Sequence, residues 1–126
     1  MSRAHYSITF RSDIALMDVA WRRYFAPTDV ADYAADCFAE FARAGFRPGY
    51  LLRMDMSQSA VQPQDALAMF RTHFSGFPVA RRIAVVTPSM IARMQVQREM
   101  TQPYLQIFAA PDVALAWLLE DVAAPA

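Results

Sequence analysis

The sequence has no lysine, no asparagine, one cysteine and three glycines, and only 19% of its residues are charged. Each shortage excludes a class of function. All twelve basic residues are arginine and are matched by twelve acidic ones, so the formal charge is +0. No long-range field then draws in a nucleic-acid backbone or an anionic membrane surface. Cys37 alone forms no internal disulfide and holds no structural zinc, which fits a reducing, cytoplasmic compartment. His5, His73 and Cys37 lack ligand spacing along the chain, so no metal is expected. Gly45, Gly49 and Gly76 are isolated and build no P-loop or dinucleotide turn, so no nucleotide cofactor is expected either. No apolar run reaches the roughly 20 residues of a transmembrane segment, and the stretch from Met1 to His5 has no signal-peptide hydrophobic region.

Hydrophobic residues, by contrast, make up 56% of the 126. That length and content suit one buried core, and no linker or repeat divides it, so residues 1–126 read as a single domain. His5 to Arg11 alternates, with Tyr6, Ile8 and Phe10 on one side, as a half-buried strand does. Ser12 and Asp13 supply a turn into a second extended run from Ile14 to about Tyr24, pairing with the first as an antiparallel hairpin. Pro27 and Thr28 open a helix with Thr28 as N-cap, ended by Gly45. Its apolar face carries Val30, Tyr33, Ala34, Cys37, Phe38 and Phe41, and Asp29, Asp32, Asp36, Glu40 and Arg43 lie opposite.

Tyr50 to Met56 reads as the third strand. Pro63 and Asp65 start a second helix through Leu67, Phe70 and Phe74. The apolar run Ile83 to Val86 reads as a central parallel strand, and Thr87-Pro88 signals a third helix to about Met100. Tyr104 to Phe108 gives the fifth strand, and Pro111-Asp112 opens a last helix with Val113, Ala116, Trp117 and Leu118 or Leu119 inward. The order is ββαβαβα with one more strand or helix at the ends, a small α/β sandwich with parallel crossovers after the hairpin.

The strings Leu51-Leu52-Arg53-Met54-Asp55-Met56-Ser57, Arg82-Ile83-Ala84-Val85-Val86-Thr87, Ile107-Phe108 and Ala114-Leu115-Ala116-Trp117-Leu118 resemble, in order and spacing over nearly the whole chain, the SpoIIAA-like group of STAS proteins. The resemblance implies about five strands and about four helices, a fold shared with SEC14-type lipid carriers. It also implies action by contact with a regulatory protein or by binding apolar ligands or membranes. The anti-sigma-factor antagonists of the wider group carry an Asp-Ser pair at the start of the helix after strand three. Here the stretch is Val61-Gln62-Pro63-Gln64-Asp65-Ala66, with alanine in place of the hydroxyl that a phosphoserine switch needs.

Several residues carry chemistry that the fold has to place. Arg53 and Asp55, two apart on a strand, share one face with a polar groove or an internal ion pair as the outcomes. Asp55 lies near the carboxyl end of a central strand, where open α/β sheets bind ligands. Asp55, Ser57 or Ser59, and His73 contain the residue types of a hydrolase, but there is no nucleophile elbow and no glycine pair for an oxyanion turn. Ser57 and Ser59 lie in the loop nearby, either as acceptors of a phosphate at the helix N-terminus or as plain turn residues. Phe70, Phe74 and Phe77, with Met54, Met56, Met69, Met90, Met94 and Met100, either fill the core or line an adaptable pocket. Arg93, Gln95, Gln97 and Arg98 decorate the third helix as a polar surface. The sequence thus points to a non-catalytic module that binds a regulatory protein or itself as a homodimer, with a carrier of an apolar small molecule or lipid as the rival, the Phe70 and Phe74 helix moving to admit it.

Overall fold

The computed structural model describes residues 1–23, 25–59, 62 and 64–120, without the side chains of Gln64 and Leu67. The elements run β1 (Tyr6–Arg11), β2 (Leu16–Trp21), α1 (Pro27–Ala44), β3 (Leu51–Asp55), α2 (Gln64–His73), β4 (Arg82–Val86), α3 (Met90–Glu99), β5 (Leu105–Phe108) and α4 (Pro111–Leu118). They form one sheet in the order β1-β2-β3-β4-β5, with β1 and β2 antiparallel and the remaining pairs parallel. The hairpin followed by parallel units is the architecture read from the sequence, completed by β5 and α4 at the end.

A sequential strand order with crossovers of one hand places all three connecting helices on the same face of the sheet. The larger core lies there, with Ile8, Met17, Val19, Met54 and Val85 from the sheet meeting Val30, Tyr33 and Cys37 of α1, Ala66 of α2 and Val96 of α3. On the other face only α4 covers the sheet, where Ala114 and Leu118 pack on Leu16, Leu51, Ala84 and Val86. Ser7, Thr9 and Arg11 of β1 remain half-buried or exposed beyond it. One sheet face is therefore partly polar and uncovered, as the alternation in β1 suggested.

The element ends differ from the sequence expectations for local reasons. Thr28 is not the N-cap: Ala26 is, with Pro27 at the first helical position, and the Asp29 carboxylate accepts from the Ala26 amide at 2.8 Å. Asp29 thus makes the half of a capping box that runs back to the N-cap amide, and its charge suits the positive end of the helix. Gly45 ends the helix at φ 72°, a left-handed value that costs glycine little. Thr87 and Pro88 precede α3 without capping it, and Ser89 Oγ accepts from the Ala92 amide at 3.2 Å. On α1, Phe38 is 39% exposed at the edge of the apolar stripe. Val113, Ala116 and Leu119 of the last segment face solvent, and Ala114 and Leu118 point inward in their place. A four-residue step satisfies one layer of contact with a short helix. The second strand runs from Leu16 to Trp21, shorter at both ends than expected, and its expected end at Tyr24 lies outside the described residues, as do Val61 and Pro63.

Candidate functional site

The three helices on the main face do not seal it. The backbone of α2 lies close to α1 and reaches the sheet through the Phe70 side chain, and an open cavity of about 740 Å³ lies beneath it. Met17, Val19 and Met54 of the sheet form its floor, Phe70 and Phe74 of α2 its roof, and Val96 of α3 one wall. The volume falls within the roughly 300–1,000 Å³ of small-molecule sites.

Aromatic rings hold the roof in place. Phe70 stacks on Trp21 of β2, with centroids 5.0 Å apart and planes 13° from parallel, and Phe74 meets Tyr33 at 5.4 Å. Phe77 closes the α1 side against Phe41 at 5.3 Å. Of the methionines singled out in the sequence, Met54, Met56 and Met100 line the cavity and Met69 packs on the core, whereas Met90 and Met94 stand in solvent at 72% and 55% exposure. Helical spacing alone does not separate these two groups.

The remaining predicted residues divide differently. Arg53 is joined to Asp18, its register partner on β2, by two hydrogen bonds of 3.0 and 2.6 Å, and donates to the Pro111 carbonyl of α4 at 3.1 Å. The hydrogen bonds to Asp18 raise the guanidinium pKa further. This is an internal ion pair that ties two strands and a helix together. Replacing Arg53 by alanine is expected to cost about 2–3 kcal/mol in urea unfolding, below the value for a fully buried pair because the two side chains keep 16% and 26% exposure. The double replacement D18N with R53M should recover most of that loss; an R53A protein with an unshifted midpoint would remove the structural role.

Asp55 and Ser57 do come together, since Asp55 Oδ1 accepts from the Ser57 amide at 2.9 Å and from its hydroxyl at 2.6 Å. The contact is a local turn of the kind Asp favours. Ser59 Oγ donates to the Met56 carbonyl at 3.1 Å. His73, at the last position of α2, is half-buried with Nε2 in no hydrogen bond, so it is not the surface histidine its helical setting suggested and it makes no bond with either serine.

Sequence reasoning missed a buried pair of amides. Gln95, expected on the surface of α3, is 9% exposed; its Nε2 donates to the Gln62 carbonyl at 2.8 Å and its Oε1 accepts from the Gln62 amide at 3.1 Å. Gln62 Oε1 in turn accepts from the Phe25 amide at 2.8 Å. Two glutamines thus pin the segment before α2 to α3 and to the end of β2, at one side of the cavity. No periodic signal marks them, because each residue satisfies backbone groups that are distant in sequence.

The hydroxyl of Tyr6 donates to Asp36 Oδ2 at 2.5 Å and Arg3 donates to the same oxygen at 2.7 Å. Burial by itself raises the Asp36 carboxyl, but the Arg3 and Tyr6 hydrogen bonds outweigh it and hold the pKa below the usual carboxylate value. Cys37, on the α1 wall of the cavity, is fully buried, and that burial pushes its thiol up to about 12. The thiol is not a nucleophile there.

The arrangement of sheet and helices is a SpoIIAA-like STAS fold. It is similar to the crystal structure of an anti-sigma factor antagonist from Mycobacterium paratuberculosis, with a TM-score of 0.62 and 12% sequence identity over 95% of this chain and 100% of that one. No protein-family model and no curated protein matches the sequence.

Proposed function

We infer that the protein is a non-catalytic regulatory module that acts through contact with another protein. The observation that carries the reading is the likeness of fold, over 95% of this chain and the whole of the other, to a protein described as an anti-sigma factor antagonist. A second feature agrees with it. Met90, Ile91 and Met94 form an exposed apolar group on α3, with Ile91 at 60% exposure, among the polar Arg93, Gln97 and Arg98. Apolar surface ringed by polar side chains is the anatomy of a protein contact. The polar groups beside β3 serve turns and backbone carbonyls, with Asp55 holding Ser57 and Met56 taking the Ser59 hydroxyl.

The test is affinity capture with the tagged chain in its own host, compared with a triple M90S/I91S/M94S variant. Wild type is expected to retain a discrete partner in near-stoichiometric amount, and the variant, folded by circular dichroism, to lose at least tenfold of it. Equal recovery with both proteins sinks the α3 contact, and native mass spectrometry separates a foreign partner from a homodimer. Unchanged background ester hydrolysis in S57A, S59A and H73A variants is the matching expectation for a protein without catalysis.

A second reading, a sensor of an apolar small molecule, is favoured by one observation: the cavity beneath α2.

A further inference from the structure

We propose that the outward face of α3 docks an acidic amphipathic helix of a partner protein, with Met90, Ile91 and Met94 meeting its apolar stripe and Arg93 and Arg98 pairing with carboxylates on either side. It rests on the protein-contact reading above and names the chemistry of that partner.

The helix divides into two faces. Ala92, Gln95 and Val96 are buried against the domain, and the Gln95 amide is tied to Gln62 at both ends. On the opposite side Met90, Met94 and Gln97 follow one another at four- and three-residue steps, with Ile91 beside Met94. Met90, Ile91 and Met94 are each more than half exposed and belong to neither core. They form a contiguous apolar strip that the fold does not use, and their unbranched thioethers adapt readily to a partner's side chains.

Charge narrows the choice of partner. At about 100° per residue, Arg93 falls on one flank of the strip and Arg98 on the other. The one carboxylate of α3, Glu99, pairs with Arg71 of α2 at 3.4 Å. Arg3, Arg11, Arg43 and Arg53 likewise each meet a carboxylate, whereas Arg93 and Arg98 enter no ion pair and no side-chain hydrogen bond among the described residues. In a chain of formal charge +0 this face is therefore locally positive. Its complement carries carboxylates beside an apolar strip, which speed encounter and turn away cationic surfaces.

Geometry selects a helix. The backbone groups of α3 are spent inside it, so no strand can add here and contact runs from side chain to side chain. Met90 to Arg98 spans about 12 Å at roughly 1.5 Å per residue, two turns over which the ridges of a second helix can pack. An anionic bilayer would meet the same arginines, but three apolar side chains fall short of the broad apolar face with which a helix enters a lipid interface.

The experiment places the photocrosslinker p-benzoylphenylalanine at Gln97 of the full chain in its own host, with the same group at Ala39 on α1 for comparison, and sequences the crosslinked segments by mass spectrometry. The group at Gln97 is expected to join one segment of net negative charge with apolar residues at three- and four-residue steps. Arg93→Glu with Arg98→Glu should lower the yield about tenfold, while Arg93→Lys with Arg98→Lys, which keeps the charge, should hold it within about twofold. A crosslink to a neutral or basic segment, to a second copy of this chain or to a lipid overturns the proposed partner, as does a yield that ignores charge reversal. These results leave the contact reading standing unless the product is a lipid. A partner joined at Ala39 and not at Gln97 overturns α3 as the surface alone, and no protein crosslink at either position removes the contact reading as well.

Discussion

Between neutral pH and about pH 11 the protein is expected to lose about 4 kcal/mol of folding stability through its buried phenols, besides about 3 kcal/mol through the raised Cys37 thiol, a large part of the roughly 5–15 kcal/mol of a typical domain. The phenols are those of Tyr6, Tyr33 and Tyr50, exposed by only 2%, 3% and 3%. Burial raises the pKa of each well above its ordinary value of 10.0, and the hydrogen bond to Asp36 adds to the effect at Tyr6. The Tyr50 hydroxyl donates to the Pro78 carbonyl at 2.9 Å, which also requires the proton. A group whose pKa is raised on folding stabilises the protein fully below its unfolded pKa, and that contribution fades as pH rises toward the folded value. Above pH 10 the unfolded chain releases these protons while the folded one retains them, and each tyrosine then costs about 1.4 kcal/mol per pH unit. Urea midpoints between about pH 8 and pH 11.5 measure the slope, and phenolate absorbance counts the groups released on unfolding. Tyr33→Phe should remove about one third of the tyrosine part of the alkaline loss. A stability that stays flat to pH 11 contradicts the burial of these phenols.

The second large effect concerns Cys37. Its thiol is buried among Tyr33 and the cavity wall and is pushed up to about 12 from 9.0, so at neutral pH its thiolate fraction falls on the order of a thousandfold. Labelling by an aromatic disulfide reagent is expected to be slower by at least that factor in the folded protein than in urea, where one thiol per chain reacts. A ligand that fills the cavity should slow it further. Folded-state labelling at the unfolded rate would show that the wall opens freely, which the packing of α1 against β2 does not permit.

The elements were legible from the sequence wherever one local pattern had one structural solution. The alternation of Tyr6, Ile8 and Phe10 gives a strand buried on one side, and Tyr6 and Ile8 are indeed fully buried. Gly45 and the apolar face of α1 behave in the same way, because a left-handed cap and a 3.6-residue period are properties of a single segment. The site was legible only in outline. Phe70 and Phe74 were singled out by spacing, yet spacing does not tell a residue that fills a core from one that roofs a cavity. That distinction depends on how far α2 stands from the sheet.

Distant partners escaped the sequence, even where the residue itself was singled out, as Arg53 was. Gln95 sits on a helix among polar neighbours and looks solvated, but a backbone segment 33 positions earlier takes both ends of its amide. Arg53 and Asp18 are 35 apart and become neighbours only through parallel register. Thr28 was passed over as cap because Asp29, one residue on, reaches back to the amide of Ala26.

Composition, charge balance and periodicity therefore determined that this chain is one α/β layer structure built from a hairpin and repeated strand–helix units, since those features express themselves within a dozen residues. Tertiary structure alone decided that the helices leave a space beneath α2 and which charges beside it are already paired with each other. Those are matters of distance between segments, and nothing in the local sequence fixes a distance.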